Sequence, residues 1–146
     1  MRIEAVTEAT PELLQALARL LPQLNPTLLP PDAARLERLV ADPDVVLLVA
    51  REGRGSEIVG TTTVIVYTTP FWIKARLDEV VVDESARGKG AGEALVRAAL
   101  NVARERGAQI AELQSGRVEA RKAAHRLYER LGFHIRNSDV FRKALR

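Results

Sequence analysis

A β-branched run that stops at a polar turn and restarts as a helix through three alternating glycines constrains this chain more than any other feature. Residues Val80–Gly92 read Val-Val-Val-Asp-Glu-Ser-Ala-Arg-Gly-Lys-Gly-Ala-Gly. The valines favour a strand, and Gly88, Gly90 and Gly92 allow conformations and close approaches that side chains forbid. A long amphipathic pattern follows at once, so the turn opens a helix, whose first N–H groups attract an anion. Strand, glycine turn and helix together predict a phosphate cradle. Two familiar cradles are excluded by spacing. No Gly-Lys pair is followed by Ser or Thr, as a P-loop requires, and G-x-G-x-x-G fails because Glu93 stands where its third glycine belongs.

A second informative segment is Arg121–Phe133. Ala124, Leu127, Tyr128 and Leu131 recur at spacings of three and four and define one helical face. Lys122, His125, Arg126, Glu129 and Arg130 fall mostly outside it, so His125 is expected in solvent. Gly132 is placed to close the helix, because glycine tolerates the left-handed conformation of a C-terminal cap.

The remainder of the chain narrows the chemistry. Its 146 residues, 47% hydrophobic and 28% charged, suit one domain over 1–146 with a single core. No stretch is long and apolar enough for a membrane span, and Glu4 interrupts any signal-peptide profile, so a cytoplasmic location without a membrane partner is expected. There is no cysteine, which removes disulfides, thiolate metal sites and an acyl-cysteine intermediate. His125 and His134 are the two histidines, too few for a histidine metal cluster, so no metal is expected. Ser115 lies in Leu-Gln-Ser-Gly rather than in a G-x-S-x-G elbow. A net charge of +3 suits a polyanionic small ligand, whereas 4% aromatics and interleaved charges offer no platform for nucleic acid.

Local signals give an order of elements. Arg2–Thr7 reads as a strand, and Thr10-Pro11-Glu12 as a helix start for the stripe Leu13, Leu14, Leu17, Leu20 and Leu21. Pro22, Pro26, Pro30 and Pro31 then break the chain, and Asp32 caps a second helix carrying Leu36, Leu39 and Val40. Strands follow at Val45–Arg51, Ile58–Tyr67 and Ile73–Val82. The helix after the cradle is expected to bury Ala91, Leu95, Ala98 and Val102 and to end at Gly107. Ile110–Leu113 is a short strand, the Tyr128 helix follows, and His134–Ala144 is read as a final hairpin turning at Asn137-Ser138.

Arg87, Gly90 and Gly92 spell R-x-x-G-x-G, and Ala124–Phe133 spells Ala-x-x-Leu-Tyr-x-Arg-x-Gly-Phe. These segments, in this order, resemble the two diagnostic segments of the Gcn5-related N-acetyltransferases (GNAT). The resemblance implies an α/β (α+β) fold in the order β-α-α-β-β-β-α-β-α-β-β, a mixed, mostly antiparallel sheet with helices on both faces. It implies an enzyme moving the acetyl group of acetyl-CoA to a primary amine by direct attack in a ternary complex. A small-molecule acceptor is favoured; a peptide acceptor, or a silent acetyl-CoA sensor, is the alternative. Dimers are frequent in the family, so a homodimer is a further expectation.

The resemblance also distributes roles. The run Val80, Val81 and Val82 flanks the pantetheine arm, with Val80 and Val82 lining it through backbone hydrogen bonds. Amides from Arg87 through Gly88, Lys89, Gly90 and Ala91 to Gly92 hold the pyrophosphate. Arg87 either adds charge there or is a solvated turn residue, and Lys89 or Arg121 either meets the outer phosphate or is plain surface charge. Arg121 replaces the asparagine common at that helix opening, and Ala124 joins the cofactor-binding set. Tyr128 donates a proton or hydrogen bond to the departing sulfur, consistent with an ordinary phenol pKa of about 10. Glu79, somewhat ahead of Asp78, is the candidate base, with ordered water as the alternative. Adjacent strand residues should point to opposite faces, so only one of the two carboxylates is expected at the reacting centre. Tyr67 and Trp72 are candidates for the acceptor pocket or for core or dimer packing.

Overall fold

Strand β4 is the hinge of the architecture, because it pairs fully with one neighbour and only briefly with the other. The computed structural model describes residues 1–116 and 121–146, which divide into two compact units, Met1–Gln114 and Ser115–Arg146. The first unit runs β1 (Arg2–Ala5), α1 (Pro11–Leu24), α2 (Ala33–Ala41), β2 (Val45–Arg51), β3 (Ile58–Thr68), β4 (Ile73–Val82), α3 (Ala91–Glu105) and β5 (Ile110–Leu113). Among the described residues these strands form a five-stranded sheet in the order β1-β2-β3-β4-β5. The first three pairings are antiparallel, and β4–β5 is parallel through α3.

Each helix is anchored by the signals expected of it. Thr10 accepts the Leu13 amide at the start of α1, and Asp32 accepts the Arg35 amide at the start of α2. Helix α1 continues through Pro22 to Leu24 rather than stopping at the proline. In the last turn the proline forfeits a single N–H bond, which the buried stripe outweighs.

Leu13, Ala16, Leu17 and Leu20 of α1 and Leu36 of α2 pack on Leu47, Val49, Ile58 and Val81, which covers one face of the sheet. Helix α3 covers the other. Gly60 lies opposite Ala50, on the face away from Val49, and a Cβ built on Gly60 would meet Leu95 of α3. The buried stripe of α3 is Ala91, Leu95, Val96, Ala99 and Ala103. Ala98 and Val102 are only half-buried, so the stripe is rotated by one residue from the expected one.

The second unit contains α4 (Lys122–Arg130), closed by a Schellman motif. The Phe133 amide donates to the Tyr128 carbonyl, the Gly132 amide donates to Glu129, and Gly132 takes φ +94. The expected final hairpin is absent: residues 134–146 carry no strand, and Ile135, Val140, Phe141 and Leu145 are exposed. Adjacent Val140 and Phe141 break any period of two, and a hairpin without a packed face is marginal.

Close contact between α3 and the sheet requires glycine at position 60. An added methyl would sit 3.0 Å from Leu95 Cδ1 and 3.1 Å from the Val81 carbonyl oxygen, and the latter cannot move without disturbing the β3–β4 ladder. Gly60→Ala should therefore lower stability by about 1–3 kcal/mol in urea unfolding. An unchanged midpoint would refute this packing.

Candidate active site

The site begins where β5 leaves β4. The two strands pair from Lys74↔Ile110 to Leu77↔Leu113, and β5 ends there. From Asp78 to Val82, β4 keeps β3 on one side and has no strand on the other among the described residues. That leaves a stretch of open strand edge, containing Val80, Val81 and Val82, able to hydrogen-bond an extended ligand as a partner strand would.

A β-bulge sits in this stretch. Thr61 faces Val81 and Thr63 faces Asp78, so Glu79 and Val80 together oppose Thr62. Asp78 and Val81 consequently share a face although they are three positions apart, which a regular strand forbids. Strict alternation of Asp78 and Glu79 across the sheet therefore does not apply. Glu79 occupies the left-handed region at φ +55, uncommon for a residue with a side chain. The fully buried Thr62 hydroxyl donates to the Asp78 carbonyl at 3.1 Å and satisfies the group that the bulge turns out of the ladder.

The two carboxylates differ in availability. Asp78 Oδ1 accepts from Arg76 Nε at 2.8 Å, an ion pair along the same strand. Among the described residues no hydrogen bond or ion pair holds the Glu79 carboxylate. Glu79 is exposed as a residue, but partial desolvation of its carboxyl, and secondarily the neighbouring Asp78 charge, pushes its pKa above the ordinary glutamate range.

Beyond β4 the chain makes a short 3-10 turn at Glu84–Ala86, pinned by the buried Ala86 and capped by Asp83. Gly88 and Gly90 follow at φ +80 and +87, conformations that need glycine, and Gly90 is the N-cap of α3. No side chain caps this helix, and among the described residues the amides of Gly88, Lys89, Gly90, Ala91 and Gly92 make no hydrogen bond. A Cβ added at Gly88 or Gly90 would meet nothing within 4 Å, so the space above the turn is open. Free amides at a helix start facing open space fit a pyrophosphate. The nearby cations are partly engaged. Arg87 Nε donates to the Val82 carbonyl at 3.2 Å, and Lys89 Nζ pairs with Glu52 at 3.1 Å.

In the second unit, Arg121 is the N-cap residue of α4 and Ala124 is half-buried one turn before Tyr128. The Tyr128 ring meets Phe133 edge-to-face at 6.0 Å, the apolar contact that accompanies a Schellman ending. Burial raises the Tyr128 pKa, with the Arg121 charge opposing, so the phenol stays protonated at neutral pH. His125 Nε2 is shielded from solvent without a hydrogen-bond partner among the described residues, against the expectation of a solvated ring. Position 125 borders the face of Ala124 and Tyr128, and the helical period alone did not resolve that edge. Tyr67 and Trp72 stand partly exposed and are not core residues. Among the described residues no cluster of acidic or histidine side chains is disposed to hold a metal, and no helix is long and apolar enough to cross a membrane.

Sequence inspection missed the bulge, and with it Thr62. The available signal was the run Thr61-Thr62-Thr63, a pattern that period-two reading treats as ordinary strand.

The acetyltransferase (GNAT) family description matches residues 11–133, a span containing the open edge, the glycine turn and the Tyr128 helix. The chain belongs to this family of acetyltransferases. It is 46% identical over 59 residues to an uncharacterized N-acetyltransferase, MJ1207, of Methanocaldococcus jannaschii. That stretch is 40% of this chain and 25% of the relative, so the match spans a quarter of the relative's length. A putative acetyltransferase from Agrobacterium tumefaciens superposes with a TM-score of 0.81 at 27% identity, covering 99% of each chain. An aminoglycoside acetyltransferase from an uncultured soil metagenomic sample, solved with sisomicin, gives 0.83 at 20% identity over 99% of this chain and 96% of its own, which shows a common fold.

The raised Glu79 pKa has a consequence for stability. The folded state binds this proton more tightly than the unfolded chain, so stability falls as pH rises from the unfolded pKa through the folded one. Glu79→Gln removes the titration. Its stability relative to wild type should increase as pH rises from below the ordinary glutamate pKa of about 4.3 toward neutrality. Denaturation curves whose difference is constant across that range would contradict the assignment.

Proposed function

We propose that the chain is an acetyl-CoA-dependent N-acetyltransferase that acetylates a primary amine on a small molecule, with residues 1–146 working as one catalytic domain. The observation that carries this reading is the continuity of the open β4 edge with the uncapped glycine turn. An extended arm and the diphosphate that ends it are the two parts of a ligand that such a sequence of backbone groups would hold.

Bound acetyl-CoA would supply an acetyl thioester, and the chain's residues would manage protons around it. An amine attacks only when neutral, so its proton must leave as the nitrogen–carbon bond forms and the carbon–sulfur bond breaks. Glu79 suits the acceptor of that proton better than Asp78 does. Among the described residues its carboxylate is in no ion pair, and its raised pKa brings it closer to the working pH. Tyr128 suits the donor to the departing sulfur, because it is protonated at neutral pH and its ring is braced by Phe133. A small amine is favoured as acceptor because the fold also serves an aminoglycoside acetyltransferase solved with sisomicin. Fold alone does not select the acceptor.

Calorimetry with acetyl-CoA tests the reading first. Wild type should bind, and Gly90→Glu, which sets a side chain and a negative charge in the open turn, should weaken binding by at least about a hundredfold. Unchanged affinity in that variant would remove the turn as the phosphate site. Once an amine screen by CoA release identifies an acceptor, Tyr128→Phe should lower kcat by about 10²–10⁴ with little change in coenzyme affinity. Equal turnover would take the donor role from Tyr128.

A further inference from the structure

Helix α1 reaches across the sheet to the chain that leads into the glycine turn. Arg19 and Gln23 lie one helical turn apart, beside the buried stripe of Leu13, Ala16, Leu17 and Leu20. Arg19 Nε bonds Asp83 Oδ2 at 3.3 Å, its Nη1 pairs with Glu57 at 3.1 Å, and its Nη2 donates to the Ile58 carbonyl at 2.5 Å. Gln23 Oε1 accepts the Glu84 amide at 3.0 Å, while its Nε2 donates to the Arg19 carbonyl at 3.2 Å. Asp83 in turn caps the 3-10 turn through Ser85, and its amide donates to the Val59 carbonyl at 2.8 Å. The Asp83 side chain is only 16% exposed, so water replaces a lost partner poorly there.

We propose that Arg19 and Gln23 are positioning residues for the phosphate turn, holding Asp83 and Glu84 so that the free amides of Gly88 to Gly92 stand ready before a ligand arrives. The inference rests on the reading of that turn as the coenzyme's pyrophosphate site. The need for a brace follows from the turn itself. Gly88 and Gly90 let the backbone adopt left-handed conformations, and the same freedom lets it leave them. An anion site built from amides is strong only where the amides are pre-aimed, because ordering them on binding subtracts from affinity. On the β4 side the fixed points of the turn are the Val59 ladder bond, the buried Ala86, the Arg87 bond to Val82 and the contacts from α1. Arg19 acts through position rather than as a phosphate ligand: all three of its nitrogens are engaged, and two carboxylates balance its charge.

Variants that differ in charge and reach separate brace from field. Arg19→Gln should weaken acetyl-CoA binding about tenfold and Gln23→Leu, which alters no charge, about threefold. Arg19→Lys keeps the charge but cannot span three acceptors, so it should fall between wild type and Arg19→Gln. Glu57→Gln, removing an exposed partner of the same arginine, should leave affinity within about twofold. Binding of S-acetylpantetheine, which lacks the pyrophosphate, should be unchanged in all four variants. Equal affinity for acetyl-CoA in Arg19→Gln and Gln23→Leu would overturn the brace. So would full rescue by lysine, or equal losses for both ligands, which would mark a general structural role. Failure of wild type to bind acetyl-CoA would instead overturn the coenzyme reading on which the brace rests. Should Arg19→Gln not fold, the uncharged change Gln23→Leu carries the test alone.

Discussion

Everything at the site depends on β4 having two neighbours that keep it company for different lengths. Antiparallel β3 stays beside it from Ile73 to Val82, while parallel β5 stops at Leu77. Open strand edges are normally a liability, exposing unpaired amides and carbonyls. Here the stretch unpaired among the described residues is short, one of its sides is secured by β3, and it leads directly into a turn whose amides make no hydrogen bond to the described residues either. One edge thus offers a ladder for an extended chain and a positive pole at its end. Neither the Val80–Val82 edge nor the Gly88–Gly92 turn alone would distinguish a ligand site from a frayed sheet or a loose loop.

The bulge at Glu79–Val80 is the second constraint, and it inverts a simple argument about carboxylates. Alternation would put Asp78 and Glu79 on opposite faces of the sheet. Inserting one residue resets the parity, leaves Asp78 on the face of Val81 and paired with Arg76, and sets Glu79 apart at φ +55. The Thr62 hydroxyl compensates the carbonyl that the bulge displaces. Strain at an acid that has no ion-pair partner among the described residues is what a reactive site tolerates and a purely structural strand avoids.

Much of this was legible in the sequence because it is local. Thr10-Pro11-Glu12 starts α1, Asp32 starts α2, and Gly132 closes α4, each through a bond to a residue no more than a few positions away. The leucine stripe of α1 and the valine run of β4 likewise follow from period alone. Errors arose where distant groups decide. Pro22 is held inside α1 by the packing of residues before it, and the α3 stripe is rotated toward Val96, Ala99 and Ala103 by packing on the sheet. The tail from His134 was read as a hairpin from turn residues alone, although a strand needs an edge to join.

The sequence by itself determined the order of elements from β1 to α4, the glycine turn at the head of α3 and the absence of thiol chemistry, since each needs only residue type and spacing. Tertiary structure alone decided where β5 departs from β4, which of two adjacent acids Arg76 engages, and how α1 grips Asp83 and Glu84. Those outcomes depend on register and on contacts between residues far apart in the chain. Register is a property of paired strands, and no single strand's sequence contains it.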